Sequence, residues 1–235
     1  MDFSVFSGPA FWAALLSIIV ANILLSGDNA VVIALASRNL PPAQQKKAIF
    51  WGSAAAIILR VILTITAVQL LSLPYLKIIG AILLIYIGVQ LLADSDDEAD
   101  MEGHSNIWGA IRTILVADLV MSLDNVIAVA AAAQKGPEET RLILLIVGLG
   151  LSIPLIIFGS TMLLKVMDRF PIIITLGAGL LGLLAGGMLV EDPAIKDSVQ
   201  AAFEDAHMIF EGIGVAIVLL VGTYLKKKQG NSEAA

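Results

Sequence analysis

An aspartate followed by an asparagine occurs twice inside apolar stretches of this 235-residue chain, at Asp28-Asn29 and at Asp124-Asn125. Carboxylate and amide oxygens are hard ligands, which suit Mg(II), Mn(II) or Ca(II) rather than Cu(I) or a zinc–thiolate site. Two carboxylates would also balance the charge of one divalent cation. The chain has no cysteine, which excludes disulfides and thiolate ligands. The two motifs are therefore candidate halves of one cation site.

The two motifs belong to copies of a single segment, separated by 96 residues. ANILLSGDNAVVIA at 21–34 aligns without gaps with ADLVMSLDNVIAVA at 117–130. The same offset pairs Gly52 with Gly148 in the apolar stretches that follow. Agreement of an Asp-Asn pair together with such packing residues is improbable by chance. The sequence therefore predicts an internal duplication.

Both copies contain further oxygen donors beside the Asp-Asn motif. Asn22 and Asp118 occupy equivalent positions six residues before each aspartate, and Ser26 and Ser122 are equivalent two residues before it. All four are candidate ligands. For Asp118, the sequence leaves open whether it binds the cation or carries a proton.

The spacing inside each copy predicts a broken helix. Asn22 and Asp28 are six residues apart, which is about 240° on a regular helix, so they would face different ways. A local break would bring them together and free backbone carbonyls for coordination. Gly27 tolerates such a break, and the second copy has Leu123 at that position.

Four other residues are weaker candidates. Met121 stands where the first copy has Leu25, and its thioether would favour the softer Mn(II) over Mg(II) unless it simply packs. Glu204, His207 and Glu211 share one helical face at the start of the last apolar stretch. They are either an external exit site or the hydrated end of a helix.

The composition places all of these residues in a membrane protein. Hydrophobic residues make up 58% of the chain, charged residues only 14%, and the mean hydropathy is +0.93. Soluble domains contain about 25% charged residues. Apolar runs of about 20 residues are long enough to span the hydrocarbon core as helices. We predict seven such helices, at about 11–36, 48–72, 75–93, 107–133, 141–164, 172–190 and 207–225.

These helices and the duplication together predict an all-α membrane fold of one domain, residues 1–235. The first repeat occupies about 11–93 and the second about 107–190, with an acidic cytoplasmic linker at 94–106 and a seventh helix at 207–225. Three crossings per repeat turn the second copy upside down relative to the first, as in inverted-repeat transporters. The two Asp-Asn motifs would then approach the bilayer centre from opposite sides.

The basic loop residues predict the orientation, because cytoplasmic loops are enriched in Lys and Arg. The more basic side has Arg38, Lys46, Lys47, Arg112, Lys165, Arg169 and 226–228, and the other side has Lys77, Lys135, Arg141 and Lys196. We therefore expect an external N-terminus and a cytoplasmic C-terminus in a bacterial plasma membrane. The acidic linker is either a solvated connection or a surface that concentrates cations.

Arg60 is the remaining basic residue and lies in the middle of a predicted helix. A carboxylate near the bilayer centre costs about 2.5–3.5 kcal/mol on insertion scales, so the aspartates need a counter-charge. One arginine cannot neutralise Asp28, Asp118 and Asp124 together. Either a carboxyl group is protonated or a cation enters, and Arg60 is a counter-charge, a gating residue or a purely structural partner.

The motifs SGDNAVVIALA and SLDNVIAVAAAA lie in a predicted layout of two three-helix repeats followed by a seventh helix. In these motifs and in this layout, the chain resembles the TerC family of integral membrane proteins, in its shorter YjbE-like branch. That family belongs with the lysine-exporter-type transporters, and its members are implicated in Mn(II) export. The resemblance implies that Asp28, Asn29, Asp124 and Asn125 line the ion site, with Asp118 at the same level. It also implies Mn(II) as the substrate, which the residues alone leave as a hard divalent cation.

We therefore expect a transporter that exports divalent cations, with Mn(II) favoured and protons as candidate counter-ions, and not an enzyme. We expect no cofactor and no nucleotide or nucleic acid as a partner, since the chain has no nucleotide-binding loop. The absence of a GxGD motif argues against an intramembrane aspartyl protease. The alternative is an exporter of amino acids or other small solutes, in which the aspartates pair with Arg60 or carry protons. A role in handing metal to exported enzymes is also compatible with the sequence.

Overall fold

The structure is a computed structural model that describes residues 8–70, 73–93 and 107–233. Within these ranges, the side chains of 23, 24, 66–70, 124, 127 and 230–233 lie outside the description, as does the whole acidic linker at 94–106. Every regular element in the described part is helical. This is expected in a bilayer, where a helix satisfies its backbone hydrogen bonds internally.

Ten α-helices and one short 3-10 helix are present in the described residues. The α-helices are α1 Pro9–Leu24, α2 Gly27–Ser37, α3 Pro42–Leu70, α4 Leu76–Ala93, α5 Ile107–Gln134, α6 Arg141–Gly150, α7 Ile153–Arg169, α8 Ile172–Val190, α9 Lys196–Ala202 and α10 Ala206–Glu233. The 3-10 helix, Glu138–Thr140, leads directly into α6.

Five helical segments of the described chain are long and apolar enough to cross a membrane. They are Pro42–Ile65, Leu76–Ala93, Glu138–Arg169, Ile172–Val190 and Ala206–Gln229. The number rises to seven if each of two bent helix pairs counts as one crossing. The chain is thus an integral membrane protein with five to seven candidate spans, which overlap the seven predicted from the sequence.

The predicted break is confirmed at the first Asp-Asn motif, whereas at the second motif α5 bends without interruption of the helix. In the first copy, Pro9–Asn22 and Gly27–Ser37 meet at an angle of 48°. In the second copy, Ile107–Leu123 and Ala128–Gln134 meet at 63°, so the bend includes the Asp-Asn pair itself. A leucine in place of the first copy's glycine therefore does not prevent the bend.

Some segments differ in extent from the sequence predictions. The predicted helix at 141–164 is longer and is interrupted at Leu151 and Ser152, after which α7 begins with Pro154 in its first turn. Proline is tolerated there because the first N–H groups of a helix have no intrahelical partner. The last helix extends to Glu233 rather than 225, and the short helix α9 was not foreseen.

The helices form two packed groups. Helices α4, α8 and α10 pack against one another, whereas α1, α2, α3, α5, α6 and α7 form the second group. Contacts of α4 with α5 and of α8 with α2 and α7 join the groups. Within the second group α3 packs on α5, and α1 and α2 pack on α6 and α7. The helices that contain the two Asp-Asn motifs, α2 and α5, therefore pack against α7 and α3, respectively.

Glycines permit the close approach of α8 to α10. A Cβ atom on Gly182 would lie 2.5 Å from the carbonyl oxygen of Gly214. A Cβ atom on Gly186 would clash with the backbone of Phe210 and Glu211. Small residues at such positions let helix backbones pack directly in membranes. This contact fixes the position of Glu211 beside α8.

Candidate metal-ion site

A buried arginine joins the two copies of the duplicated segment. Arg60 lies in α3 and is 1% exposed. Its guanidinium forms an ion pair with Asp118, and its Nε donates a 3.0 Å hydrogen bond to Ser122 Oγ. Its Nη1 donates to Asn22 Oδ1 at 2.7 Å and to Ser26 Oγ at 3.2 Å. We call these five residues the Arg60 cluster.

The partners of Arg60 are related by the repeat. Asn22 and Asp118 are equivalent positions, as are Ser26 and Ser122, and Arg60 contacts all four. In each copy the serine hydroxyl also donates to its neighbour four residues earlier, at 3.3 Å. A single arginine therefore bridges both bent segments.

The cluster balances its own charge. One guanidinium meets one carboxylate, because the first copy has an asparagine where the second has Asp118. Buried ion pairs are tolerated when further hydrogen bonds satisfy the remaining donors and acceptors, as they do here. Among the described side chains, Arg60 pairs with Asp118 and not with Asp28. Asp118 is thus engaged as a counter-ion in this conformation.

Asp28 lies apart from the Arg60 cluster, at the start of α2. The break between α1 and α2 places it in the first turn, and its Oδ1 accepts a 2.8 Å hydrogen bond from the backbone N–H of Asn29. The partial positive charge of a helix N-terminus stabilises a carboxylate at this position. The broken helix therefore presents a carboxyl group inside an apolar segment.

The second motif approaches the first across the break. Asn125 of α5 donates from Nδ2 to the backbone carbonyl of Leu25 at 3.1 Å. Leu25 lies between α1 and α2, where the helical hydrogen-bond pattern is interrupted. Asn125 of the second motif thus lies beside the break that precedes the first motif. Asp124 lies in the bend of α5, and its side chain is outside the described residues.

Asp28 and Asn125 line one cavity of about 210 Å³, which we call the Asp28 cavity. It is lined by Asp28, Met121, Asn125, Leu183, Leu184, Gly187, Met188, Glu191, His207 and Glu211. Its walls thus come from α2, α5, α8 and α10 and from Glu191, which directly follows α8. The cavity extends from residues of the two Asp-Asn motifs to the side chains of Glu191, His207 and Glu211, where α8 ends and α10 begins.

The polar end of the Asp28 cavity lies where α8 ends and α10 begins. Glu191 follows α8 and accepts a 2.8 Å ion-paired hydrogen bond from Lys77 Nζ. This hydrogen bond lowers the pKa of Glu191 below its usual value, so the group stays ionised. His207 and Glu211 are four residues apart on α10 and share one face. These three side chains form an ionisable mouth.

Asn29 has a different environment from the other candidates. Its side chain is 2% exposed, and neither its Oδ1 nor its Nδ2 has a hydrogen-bond partner among the described residues. It shares a small void with Asp118, Val32, Ile33 and Ile114. Buried polar atoms without partners are rare, because each costs about 1–3 kcal/mol. The amide of Asn29 is therefore available to a ligand.

Apart from Asn29 and Glu204, the predicted candidate ligands whose side chains are described divide into two groups. Asn22, Ser26, Asp118 and Ser122 surround Arg60, whereas Asp28, Met121, Asn125, His207 and Glu211 line the Asp28 cavity. Glu204 is not among the cavity residues. Sequence reasoning missed Met188 and Glu191, which lie on the cavity wall. Glu191 follows the last apolar residue of α8, a position that offered a weak signal.

No group of three or more His, Cys, Asp or Glu side chains with metal-binding geometry occurs among the side chains that the structure describes. A cation in the Asp28 cavity would therefore draw on amide, carbonyl or thioether donors besides Asp28. The backbone carbonyls near the break between α1 and α2 and the side chain of Asn125 are such donors. This mixed donor set is typical of transporters with discontinuous helices.

Comparison with known proteins identifies the family. The model of the integral membrane protein TerC family matches residues 7–230. This chain belongs to the TerC family. Its match includes both Asp-Asn motifs, Arg60 and the mouth of the cavity, so the resemblance read from the sequence is confirmed.

Relatives of this TerC protein are bacterial membrane proteins. It is 40% identical to the membrane protein YjbE of Bacillus subtilis over 91% of this chain and 95% of that protein. It is 26% identical to YceF of the same organism, over 98% of this chain and 90% of YceF. The inner membrane protein YoaE of Escherichia coli is 23% identical over 78% of this chain and 38% of YoaE. No solved structure matches.

Proposed function

We propose that this TerC-family protein is a membrane transporter, not an enzyme, and that it exports divalent metal cations, with Mn(II) as the favoured ion. The observation that carries this proposal is the Asp28 cavity, which unites the first motif's carboxylate with the second motif's Asn125. The same cavity reaches the ionisable mouth formed by Glu191, His207 and Glu211. This arrangement suits a path for cations.

The charge balance of the interior supports a cation rather than a structural role for Asp28. Arg60 is neutralised by Asp118 and makes hydrogen bonds to three further side chains. In its ionised form, Asp28 would therefore need a further positive charge, which a bound cation supplies. In the proposed cycle, Asp28 and Asp124 hold the dehydrated ion and Asn125 helps to complete its shell. Asn29, which lies in a separate void in this structure, joins them in another step of the cycle.

The packing of the helices supports an inverted repeat of three crossings each, followed by a seventh helix. The first crossing of each repeat packs on the second crossing of the other repeat, and both first crossings bend at the Asp-Asn motif. Such repeats move substrate by exposing a central site to each side in turn. Protons returning to Asp28, Asp124 or Asp118 would promote release of the ion.

The distribution of basic loops supports a direction for the proposed path. With the N-terminus outside and the C-terminus cytoplasmic, the segment between α8 and α10 lies outside the bacterial plasma membrane. The mouth of the Asp28 cavity then faces outward. The structure would correspond to a conformation from which the ion leaves.

An exporter of amino acids or other small solutes is the second candidate. It requires a cationic group to bind the substrate's carboxylate, and Arg60 is the buried residue of that kind. The engagement of Arg60 with Asp118, Asn22, Ser26 and Ser122 argues against this role in the present conformation. Divalent cations remain the better match to the cavity.

The proposal is tested by measuring Mn(II) flux in proteoliposomes that contain the intact protein, Asp28→Asn or Asp124→Asn. We expect both substitutions to abolish flux, because each removes a carboxylate from the path. Asp168→Asn is the matched control, since Asp168 is exposed at the end of α7. Mg(II), Ca(II) and lysine are added as competitors. Mn(II) flux that is indifferent to both substitutions, or competition by lysine alone, would favour the solute exporter.

A further inference from the structure

Two methionines line the Asp28 cavity beside its carboxylate and amide groups. Met121 lies one helical turn before Asn125 on α5, and Met188 lies near the end of α8. Met121 and Asn125 both line this cavity, on either side of the start of the bend in α5. Met121 is 6% exposed and Met188 is 5% exposed. Two side chains with polarizable thioethers therefore border the proposed ion path.

The duplication supplies an internal comparison for both positions. The residue equivalent to Met121 is Leu25, and the residue equivalent to Met188 is Leu92. Leucine and methionine have similar volumes and commonly replace each other in packed cores. Apolar packing at these positions is therefore satisfied by leucine, as the first repeat shows. What methionine adds is a thioether sulfur with a lone pair.

A thioether changes which cations a site prefers. Oxygen ligands alone suit Mg(II), Ca(II) and Mn(II), which differ chiefly in size and in the ease of dehydration. Thioether sulfur is a soft ligand that interacts better with transition-metal cations than with Mg(II) or Ca(II). A site with a thioether therefore favours a cation that can exchange a water ligand for sulfur over a cation that requires oxygen for every ligand.

We propose that Met121 and Met188 are the selectivity-determining residues of the Asp28 cavity, and that their sulfur atoms favour transition-metal cations over Mg(II) and Ca(II). The proposal rests on the proposed function, since it assumes that the cavity holds a divalent cation. Asp28 supplies the charge that attracts any such ion. The two methionines then discriminate among the ions that Asp28 attracts.

The test compares the intact protein with the double variant Met121→Leu/Met188→Leu in proteoliposomes. Fluxes of Mn(II), Cd(II) and Mg(II) are measured separately, and Cd(II) serves as the softest probe. We expect the variant to retain flux but to lose preference for Cd(II) and Mn(II) over Mg(II) by several-fold. The matched control is Met162→Leu/Met208→Leu, because both of these methionines are largely exposed on the outer surface of the bundle.

A second measurement keeps the proposal testable if the variant transports poorly. Equilibrium binding of radioactive Cd(II) to the purified protein in detergent, with Mg(II) as competitor, reports selectivity without transport. Unchanged relative affinities in the double variant would overturn the proposal and make both methionines packing residues. An equal loss of affinity or flux for all three cations would also overturn the proposal.

The failure of the proposed function gives a different pattern. If the intact protein neither binds nor moves any of the three cations, the transporter proposal fails, and the selectivity proposal fails with it. If the intact protein moves all three cations equally and Asp28→Asn abolishes every flux, only the selectivity proposal fails. The two ideas are thus separated by the intact protein and Asp28→Asn alone.

Discussion

Arg60 of α3 and Asp118 of α5 form an ion pair inside the bundle, with side chains that are only 2% and 7% exposed. The positions equivalent to them in the other repeat are Ile156 and Asn22. The charged pair therefore occurs once, and its repeat-related counterpart is uncharged. This asymmetry identifies the substitutions that test its role.

Replacing Arg60 alone should be more harmful than replacing both partners. Arg60→Ile leaves the carboxylate of Asp118 buried without a counter-charge, which costs about 3–5 kcal/mol in comparable sites. Arg60→Ile/Asp118→Asn removes both charges and should recover a large part of that loss. Thermal unfolding of the purified protein in detergent measures the difference. A double variant no more stable than Arg60→Ile would show that the charges are not coupled.

Enlarging Gly186 should separate α8 from α10. In Gly186→Ala the new Cβ atom would clash with the backbone of Phe210 and Glu211, which cannot move as a flexible side chain does. Overpacking of this kind costs about 1–3 kcal/mol. Gly212→Ala is the control, because no atom lies within 4 Å of its added Cβ. Equal unfolding temperatures for the two variants would contradict the close packing.

Removing a negative charge from the mouth of the Asp28 cavity should weaken binding of the cation more than it slows transport. Glu211→Gln removes a charge from the polar end of the Asp28 cavity, so we expect a several-fold higher KM for Mn(II) with a smaller change in maximal flux. The effect should shrink at high ionic strength, since salt screens exposed charges. Glu204→Gln is the control outside the cavity. A matching change in that variant would assign the effect to general surface charge.

Acid should loosen the junction between α8 and α4 through Asp192. Burial alone would raise the pKa of Asp192, but N–H groups of Ala194, Tyr75, Ile78 and Lys77 bind its carboxylate and lower its pKa overall. The stabilisation is therefore present above the ordinary value of 3.8 and is lost as the pH falls through the lowered native value.

The measurement for Asp192 is thermal unfolding at neutral pH and at successively lower pH. Asp192→Ala should lower stability at neutral pH by about 1–2 kcal/mol, since it leaves several partly buried N–H groups without their acceptor. The substitution should also make the unfolding temperature less dependent on pH in the acid range. Asp197→Asn, on the neighbouring α9, is the control. The same acid dependence in the intact protein and in Asp192→Ala would contradict the assignment.

The membrane fold and the bends were accessible from the sequence because they depend on local composition. Apolar runs gave the spans, and the offset between Asp28 and Asp124 gave the duplication. In the second copy, Leu123 stands where the first copy has Gly27. The chain bends by 63° there, so a glycine at this position is not required for the bend.

The sequence could not predict which polar residues surround Arg60 and which line the Asp28 cavity. The types and spacing of Asp28 and Asp118 are equally compatible with binding Arg60, and only the packing of α3 on α5 selects Asp118. Met188 and Glu191 join the cavity because α8 lies beside the break in the first crossing. Such contacts depend on helices distant in the chain, for which one sequence gives no direct signal.

The most direct test of the central claim is equilibrium binding of Mn(II) to the purified protein, read from the loss of the free-ion electron paramagnetic resonance signal. The account predicts saturable binding that is lost in Asp28→Asn and retained in the exposed control Asp168→Asn. Mn(II) binding that is the same in both variants would contradict the claim that the Asp28 cavity holds the cation.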